Sequence, residues 1–210
     1  MLDKTGRLSA ASAAQPVDLE LGPGTSPEIE GAIGIDILDL PHVEVVGDAF
    51  EVVRSLPDAS VRSVFSAHFF EHIDDPVGLV AELARVVRPG GTVTTVVPHF
   101  SNPYFYSDPT HRDAFGLYTF SYLANDEILR RQVPNYFGEH KFALEDVRLV
   151  FKSTRPNYVR HGMSKAVEAF VNSSRRRTEK FEARWCYLWP AYEISYVIRR
   201  LPERAPHDPR

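Results

Sequence analysis

The stretch Val17-Asp18-Leu19-Glu20-Leu21-Gly22-Pro23-Gly24, followed by Gly34-Ile35-Asp36, decides the fold. One apolar run ends in a glycine turn, and the next ends in a carboxylate. Glycine lets backbone approach a ligand closely, because no Cβ stands in the way. A carboxylate at the tip of the neighbouring strand can accept hydrogen bonds from two ribose hydroxyls. The pattern suits a nucleoside-type ligand. Glu20 lies inside the first apolar run, where a carboxylate is costly unless a donor or ligand meets it.

Working outward, residues 17–21, 32–37, 43–46, 61–66 and 92–97 read as strands. Between the last two, Val77, Val80, Leu83, Ala84 and Val87 recur at helical spacing, with Asp74 and Asp75 as caps and Pro76 in the first turn. Strands alternating with helices predict an α/β chain with a Rossmann-like, mostly parallel sheet and helices on both faces. Residues 119–131 read as a helix, 142–151 as a closing strand, and 164–175 and 178–200 as two final helices. The expected organisation is a flexible tail over 1–15, a ligand-binding domain over 16–155 and a helical C-terminal extension over 156–210.

With 210 residues, 43% of them hydrophobic and 25% charged, the composition is that of a soluble globular domain. A net charge of -4 gives no bulk electrostatic reason to expect nucleic acid. The single Cys186 excludes an internal disulfide and fits a reducing compartment. No run approaches the roughly 18 apolar residues of a membrane span, and the first residues lack a long apolar stretch. The expectation is a cytoplasmic protein.

Three readings compete for the glycine turn: a tight turn without ligand, a dinucleotide site, or a site for S-adenosylmethionine (SAM). A dinucleotide site wants a third glycine where Pro27 stands. The ordered set Leu19–Gly24, Gly34-Ile35-Asp36-Ile37, Gly47-Asp48-Ala49-Phe50, Phe70-Glu71-His72 and Leu83-Ala84-Arg85-Val86-Val87-Arg88-Pro89-Gly90-Gly91 resembles the successive motifs of a class I SAM-dependent methyltransferase of type 11. The resemblance covers residues 15 to 125 and implies the class I methyltransferase fold. It sets Glu20, Gly22 and Gly24 against the methionine part of SAM, Asp36 and Ile37 at the ribose, and Asp48, Ala49 and Phe50 at the adenine. Ser66, Ala67 and His68 would line the methyl-donor end. Asp48 could equally cap a helix. Only nine residues separate Gly24 from Gly34, so the first helix is shortened, as in one subgroup of the family.

Methyl transfer needs a positioned acceptor, and a base where the acceptor must lose a proton. The candidates are His68, His72, His99, Asp108 and His111. His72 could instead fix its loop, and Asp108 with His111 could be a catalytic pair or a loop staple. The spacing of His99, Asp108 and His111 matches no strong metal motif, so no metal is expected. Phe100, Tyr104, Phe105, Tyr106, Phe115, Tyr118 and Phe120 would supply aromatic walls. The basic residues from Arg175 to Arg184, with the aromatics that follow, read as a solvated helix packing on the domain, with a lid, a partner surface or a peripheral membrane contact as the alternatives. The reading is O-methylation of a small-molecule acceptor, with SAM as cofactor and S-adenosylhomocysteine (SAH) as product. The alternative is a non-catalytic SAM-binding or assembly module; a nicotinamide oxidoreductase is disfavoured by Pro27.

Overall fold

The computed structural model describes residues 1–152 and 158–203. Eight strands form one sheet: β1 (Leu2–Asp3), β2 (Val17–Leu21), β3 (Ile33–Asp36), β4 (Val45–Val46), β5 (Val61–Ala67), β6 (Val87–Pro98), β7 (Phe142–Val150) and β8 (Glu193–Arg200). Their spatial order is β1-β4-β3-β2-β5-β6-β8-β7. Strands β2 to β6 run parallel, β1 is antiparallel to β4, and β8 is antiparallel to both β6 and β7. The chain runs outward from β2 through β3 to β4, then returns to β5 on the other side of β2. That reversal opens a crevice at the carboxyl ends of β2 and β5, where ligands bind in open α/β sheets.

Alternation along the strands defines the core. Leu19, Leu21, Ile33, Ile35, Val64, Val93, Val97, Ile194, Tyr196 and Ile198 are buried. The intervening Ser63, Phe65, Ala67, Thr92, Thr94, Val96, Ser195 and Val197 are half-buried. Helix α1 (Ala49–Ser55) starts where Asp48 accepts the Glu51 N–H, and α2 (Pro76–Val86) where Asp75 accepts the Gly78 N–H. Helix α2 buries Leu79, Val80, Leu83 and Ala84 at helical spacing. No helix joins β2 to β3; residues 25–32 are turns and irregular backbone, as the short spacing predicts.

Three expectations are corrected. Residues 1–15 are not a loose tail: Leu2 and Asp3 pair with Val46 and Val45, and Leu8 and Ala11 are buried. Apolar side chains thinly spread among Ser and Ala are enough to dock this segment. Residues 119–131 hold only a 3-10 turn, Phe120–Tyr122. Asp126 accepts the Ile128 and Leu129 N–H groups and the Ser121 hydroxyl, while Asn125 pairs with β7 through Phe142 and Leu144. Those bonds divert the backbone from a helix.

The C-terminal region is helical only in part. Helices α3 (Tyr158–Val171) and α4 (Arg175–Arg184) are followed by β8, which lies inside the sheet. Pro190 interrupts helical continuity, and Ile194, Tyr196 and Ile198 alternate with half-buried or exposed positions, a strand period. The expected boundary at 155/156 lies outside the described residues. Among the described residues no helix is long and apolar enough to cross a membrane.

Candidate functional site

A cleft of about 840 Å³ opens at the carboxyl edge of β2, β3 and β5. Its wall holds Gly22, Gly24, Asp36, Ile37, Asp48, Ala49, Phe50 and His68, eight of the ten residues expected to meet the cofactor. His72, from the acceptor-side set, lines it too. Leu38, Phe69, Ile73, Asp74, Asp75 and Leu79 also line it, and the sequence does not single them out for the cofactor. Most sit in the turns after β3 and β5, where no motif marks them.

The glycine turn is built by backbone. Gly22 (φ +65°) and Gly24 (φ +53°) are both left-handed, a conformation with little cost only for glycine. A Cβ on Gly22 would stand 2.7 Å from Phe69 Cδ2, so the turn packs against the segment after β5. The Gly22 N–H donates to the Ile35 carbonyl at 2.9 Å, and His42 Nε2 contacts the Gly24 carbonyl. Asp36 sits at the centre. Its Oδ2 accepts the Gly24 N–H at 3.1 Å and its Oδ1 the Leu38 N–H at 2.9 Å. Each carboxylate oxygen has a second acceptor site, so a diol can still be bound. Asp48 both caps α1 and lines the cleft. Arg54 lies over the Phe50 ring at 4.1 Å.

The residues fit SAM. The turn gives close backbone approach, Asp36 acceptors for a diol, and Ile37, Leu38, Ala49 and Phe50 an apolar bed for a flat ring. Asp36, Asp48, Asp74 and Asp75 outnumber the cationic Arg54 and His68 on the wall, which favours a sulfonium cation.

Two expected cofactor residues lie elsewhere. Glu20 is buried, and its carboxylate accepts the Glu28 N–H at 2.8 Å and the Ile29 N–H at 3.1 Å. It closes the loop that replaces the first helix. Ser66 is buried, its hydroxyl donating to Thr95 Oγ1 at 2.9 Å. His99 leaves the acceptor set on the same ground: fully buried, it contacts Ser101 Oγ at 2.7 Å and Glu182 Oε2 at 3.1 Å. Nor do the expected aromatic walls line the cleft. Phe105, Phe115 and Phe120 are buried in the core, and Tyr104 and Tyr106 are exposed.

The remaining acceptor-side residues converge. Thr110 donates its N–H and hydroxyl to Asp108 Oδ1, at 2.8 and 2.6 Å; these bonds hold Asp108 below the usual carboxylate range. With that hydroxyl proton committed, His72 Nδ1 must be the donor across its 2.9 Å contact with Thr110 Oγ1. His111 Nδ1 donates to the Phe105 carbonyl at 2.8 Å, and its ring stacks on Phe105. The two imidazoles face each other with centroids 4.8 Å apart. The segment 108–111, distant in sequence, is thereby fastened to the end of β5.

His68 stands beside them in the left-handed region, φ +53°. Its Nε2 is 3.0 Å from Glu193 Oε1 and its Nδ1 3.4 Å from Glu71 Oε1. The Glu193 carboxylate first, then that of Glu71, raises its pKa to about 9 against the opposing effect of burial.

Residues 19–95 match the methyltransferase domain family. No curated protein sequence matches the chain. A SAM-dependent methyltransferase from Archaeoglobus fulgidus superposes with a TM-score of 0.59 at 20% identity, covering 92% of this chain and 90% of that one. The phosphoethanolamine N-methyltransferase 2 of Haemonchus contortus, solved with SAM, gives 0.50 at 14% identity, covering 95% of this chain and 51% of that one. The [4+2]-cyclase SpnF gives 0.50 at 16% identity, covering 90% and 77%. These likenesses establish the fold, and the matched segment includes the glycine turn and most of the cleft wall. The methyltransferase domain match spans residues 19–95, and the fold is the one seen in class I SAM-dependent methyltransferases.

Proposed function

We propose that the chain methylates a small-molecule acceptor at oxygen, with Gly22, Gly24, Asp36, Ile37, Asp48, Ala49 and Phe50 holding SAM. The carrying observation is that these residues and His72 line one continuous cleft. SAM, when bound, supplies an electrophilic methyl group on a sulfonium. The protein must then orient an acceptor and handle its proton. The cluster of His72, Asp108 and His111 is suited to both. With Nδ1–H donated to Thr110, His72 keeps a lone pair at Nε2, where an acceptor hydroxyl can leave its proton. Phe69, Ile73 and Leu79 give that end of the cleft an apolar wall. The proposed setting is the cytoplasm.

Calorimetry with SAH tests the cofactor half. Wild type should bind, and Asp36→Ala should bind about 30-fold more weakly, the value of a charge-assisted hydrogen bond of about 2 kcal/mol. An unchanged affinity would remove Asp36 from the site. Transfer of labelled methyl to a panel of hydroxylated, aminated and thiol-bearing small molecules tests the acceptor half; labelling confined to amines or thiols would overturn O-methylation. A second reading is a SAM-binding module without transfer activity, favoured by the [4+2]-cyclase among proteins sharing this fold. SAH binding with no labelled product across the panel would favour it.

A further inference from the structure

We propose that Glu71, His72 and His111 form a binding site for a borderline divalent metal ion, of the zinc or ferrous type, at the acceptor end of the cleft. Glu71 is fully buried, and among the described residues neither carboxylate oxygen has a hydrogen-bond partner. Its nearest countercharge is the His68 imidazolium, with Nδ1 3.4 Å away, and the neutral His72 ring has its Nε2 4.0 Å away. An ionised carboxylate taken out of water without donors is strongly unfavourable. The His68 charge offsets part of that cost, and the second oxygen and the remaining charge are left to the imidazoles turned toward the carboxylate.

Both imidazoles are prepared as ligands. His72 spends its Nδ1–H on Thr110 Oγ1, itself bound to Asp108, and His111 spends its Nδ1–H on the Phe105 carbonyl. Each is left with a lone pair at Nε2. Metal-bound histidines characteristically donate the other ring N–H to a carbonyl or a carboxylate-linked group, which fixes the tautomer. One ligand atom from each of Glu71, His72 and His111 lies within 4.8 Å of the others. Bonds of about 2.0–2.2 Å to a tetrahedral ion would bring such atoms to roughly 3.4 Å, an approach within the reach of side-chain rotation. Asp108 Oδ2, 3.7 Å from His111 Nε2, stands by as a fourth ligand.

Two imidazoles and one carboxylate suit zinc or ferrous ion better than magnesium or calcium, which take oxygen donors. Three protein ligands leave an open position. That His72 lines the cleft puts the position within reach of an acceptor oxygen; with the ion bound, His72 Nε2 is a ligand and no longer the base, and the ion takes over that role by making a bound hydroxyl more acidic. The role of the ion rests on the methyl-transfer reading; its binding does not. Sequence spacing hides the site, because His111 is 39 residues beyond His72.

The test uses tag-free, chelator-stripped full-length protein. Cobaltous ion is titrated while visible d–d absorption is followed, and zinc binding is measured by calorimetry, with SAH binding on the same samples. One equivalent of cobalt should give tetrahedral or five-coordinate bands that zinc displaces. His111→Gln and Glu71→Gln should each weaken binding at least 10-fold while SAH still binds. Absence of bands and of zinc heat in a protein that binds SAH overturns the proposal, as does metal binding that both variants leave unchanged. If Glu71→Gln fails to fold, His111→Gln decides alone. Metal binding without SAH binding would sink the cofactor assignment and leave the metal site standing.

Discussion

Glu20 and His99 occupy equivalent places in the architecture. Each stands at the carboxyl end of a central parallel strand, and each is a polar group that sequence pattern offers as a functional residue. The structure buries both and makes each a brace beneath a loop. Glu20 reaches eight and nine residues along the chain to the backbone of Glu28 and Ile29. His99 reaches 83 residues, to Glu182 of α4, which also accepts the Leu117 N–H. The near brace shapes the cofactor turn. The far brace pins the chain after β6 to the C-terminal helices and touches no cleft residue. A buried polar group at a strand end thus marks a loop that must be held, and the span of its bonds says what is being held.

Removing the near brace should have the largest effect. Glu20→Ala leaves two backbone donors without a partner and should cost about 3 kcal/mol of stability. SAH affinity should fall with it, because the loop that follows Gly24 loses the anchor Glu20 gives to Glu28 and Ile29. Thermal melting and calorimetry on one preparation check both; a stable variant that binds SAH normally would show that the turn holds itself. Gly22→Ala comes next. It forces an L-residue into φ +65° and drives its Cβ into Phe69, a combined cost of about 2 kcal/mol. Its signature is SAH affinity lost at ambient temperature with only a moderate drop in melting temperature.

The same contrast explains what is legible in the sequence. The sheet from β2 to β6 and the missing first helix follow from turn chemistry and period, both local, and eight of the ten residues that the methyltransferase resemblance sets at the cofactor line one cleft. The misreadings involve hydrogen-bond and pairing partners that the residue pattern does not show. Strand β8 reads as helix because its place between β6 and β7 is set by tertiary pairing. The first residues read as a tail because their partner, β4, lies more than forty positions on. Glu20 reads as a ligand contact because a buried carboxylate shows in sequence while the N–H groups that receive it do not. The pairing of His72 with residues 108–111 leaves no trace in spacing at all.

His99→Ala tests the far brace. It strips Glu182 and Ser101 of a buried partner and should cost about 2 kcal/mol. SAH affinity should stay within about twofold of wild type, in contrast to Glu20→Ala. A loss of SAH binding equal to that of Glu20→Ala would mean that the two braces act on one loop system and would erase the distinction.

The smallest effect belongs to a brace at the surface. Asp146, at the irregularity in β7, pairs with Arg175 at the start of α4 and with Arg148 at 2.7 Å. Burial works against its charge, but hydrogen bonds from Arg175 and Arg148 outweigh it and hold the pKa below its ordinary value. A depressed folded-state pKa gives stability that is present above the unfolded value, about 3.9, and lost as pH falls through the folded one. The pair is partly exposed, so water and salt limit it to about 0.5 kcal/mol. Asp146→Asn should therefore melt roughly 1–2 °C below wild type near neutral pH. That gap should close as the pH drops below about 4 and should shrink with added salt. A gap that persists unchanged into acid would mean that Asp146 works by its shape and hydrogen bonds. The C-terminal helices would then be held by buried, charge-independent contacts such as Phe181 against Phe151, alongside the bonds that Glu182 makes to His99 and to the Leu117 backbone.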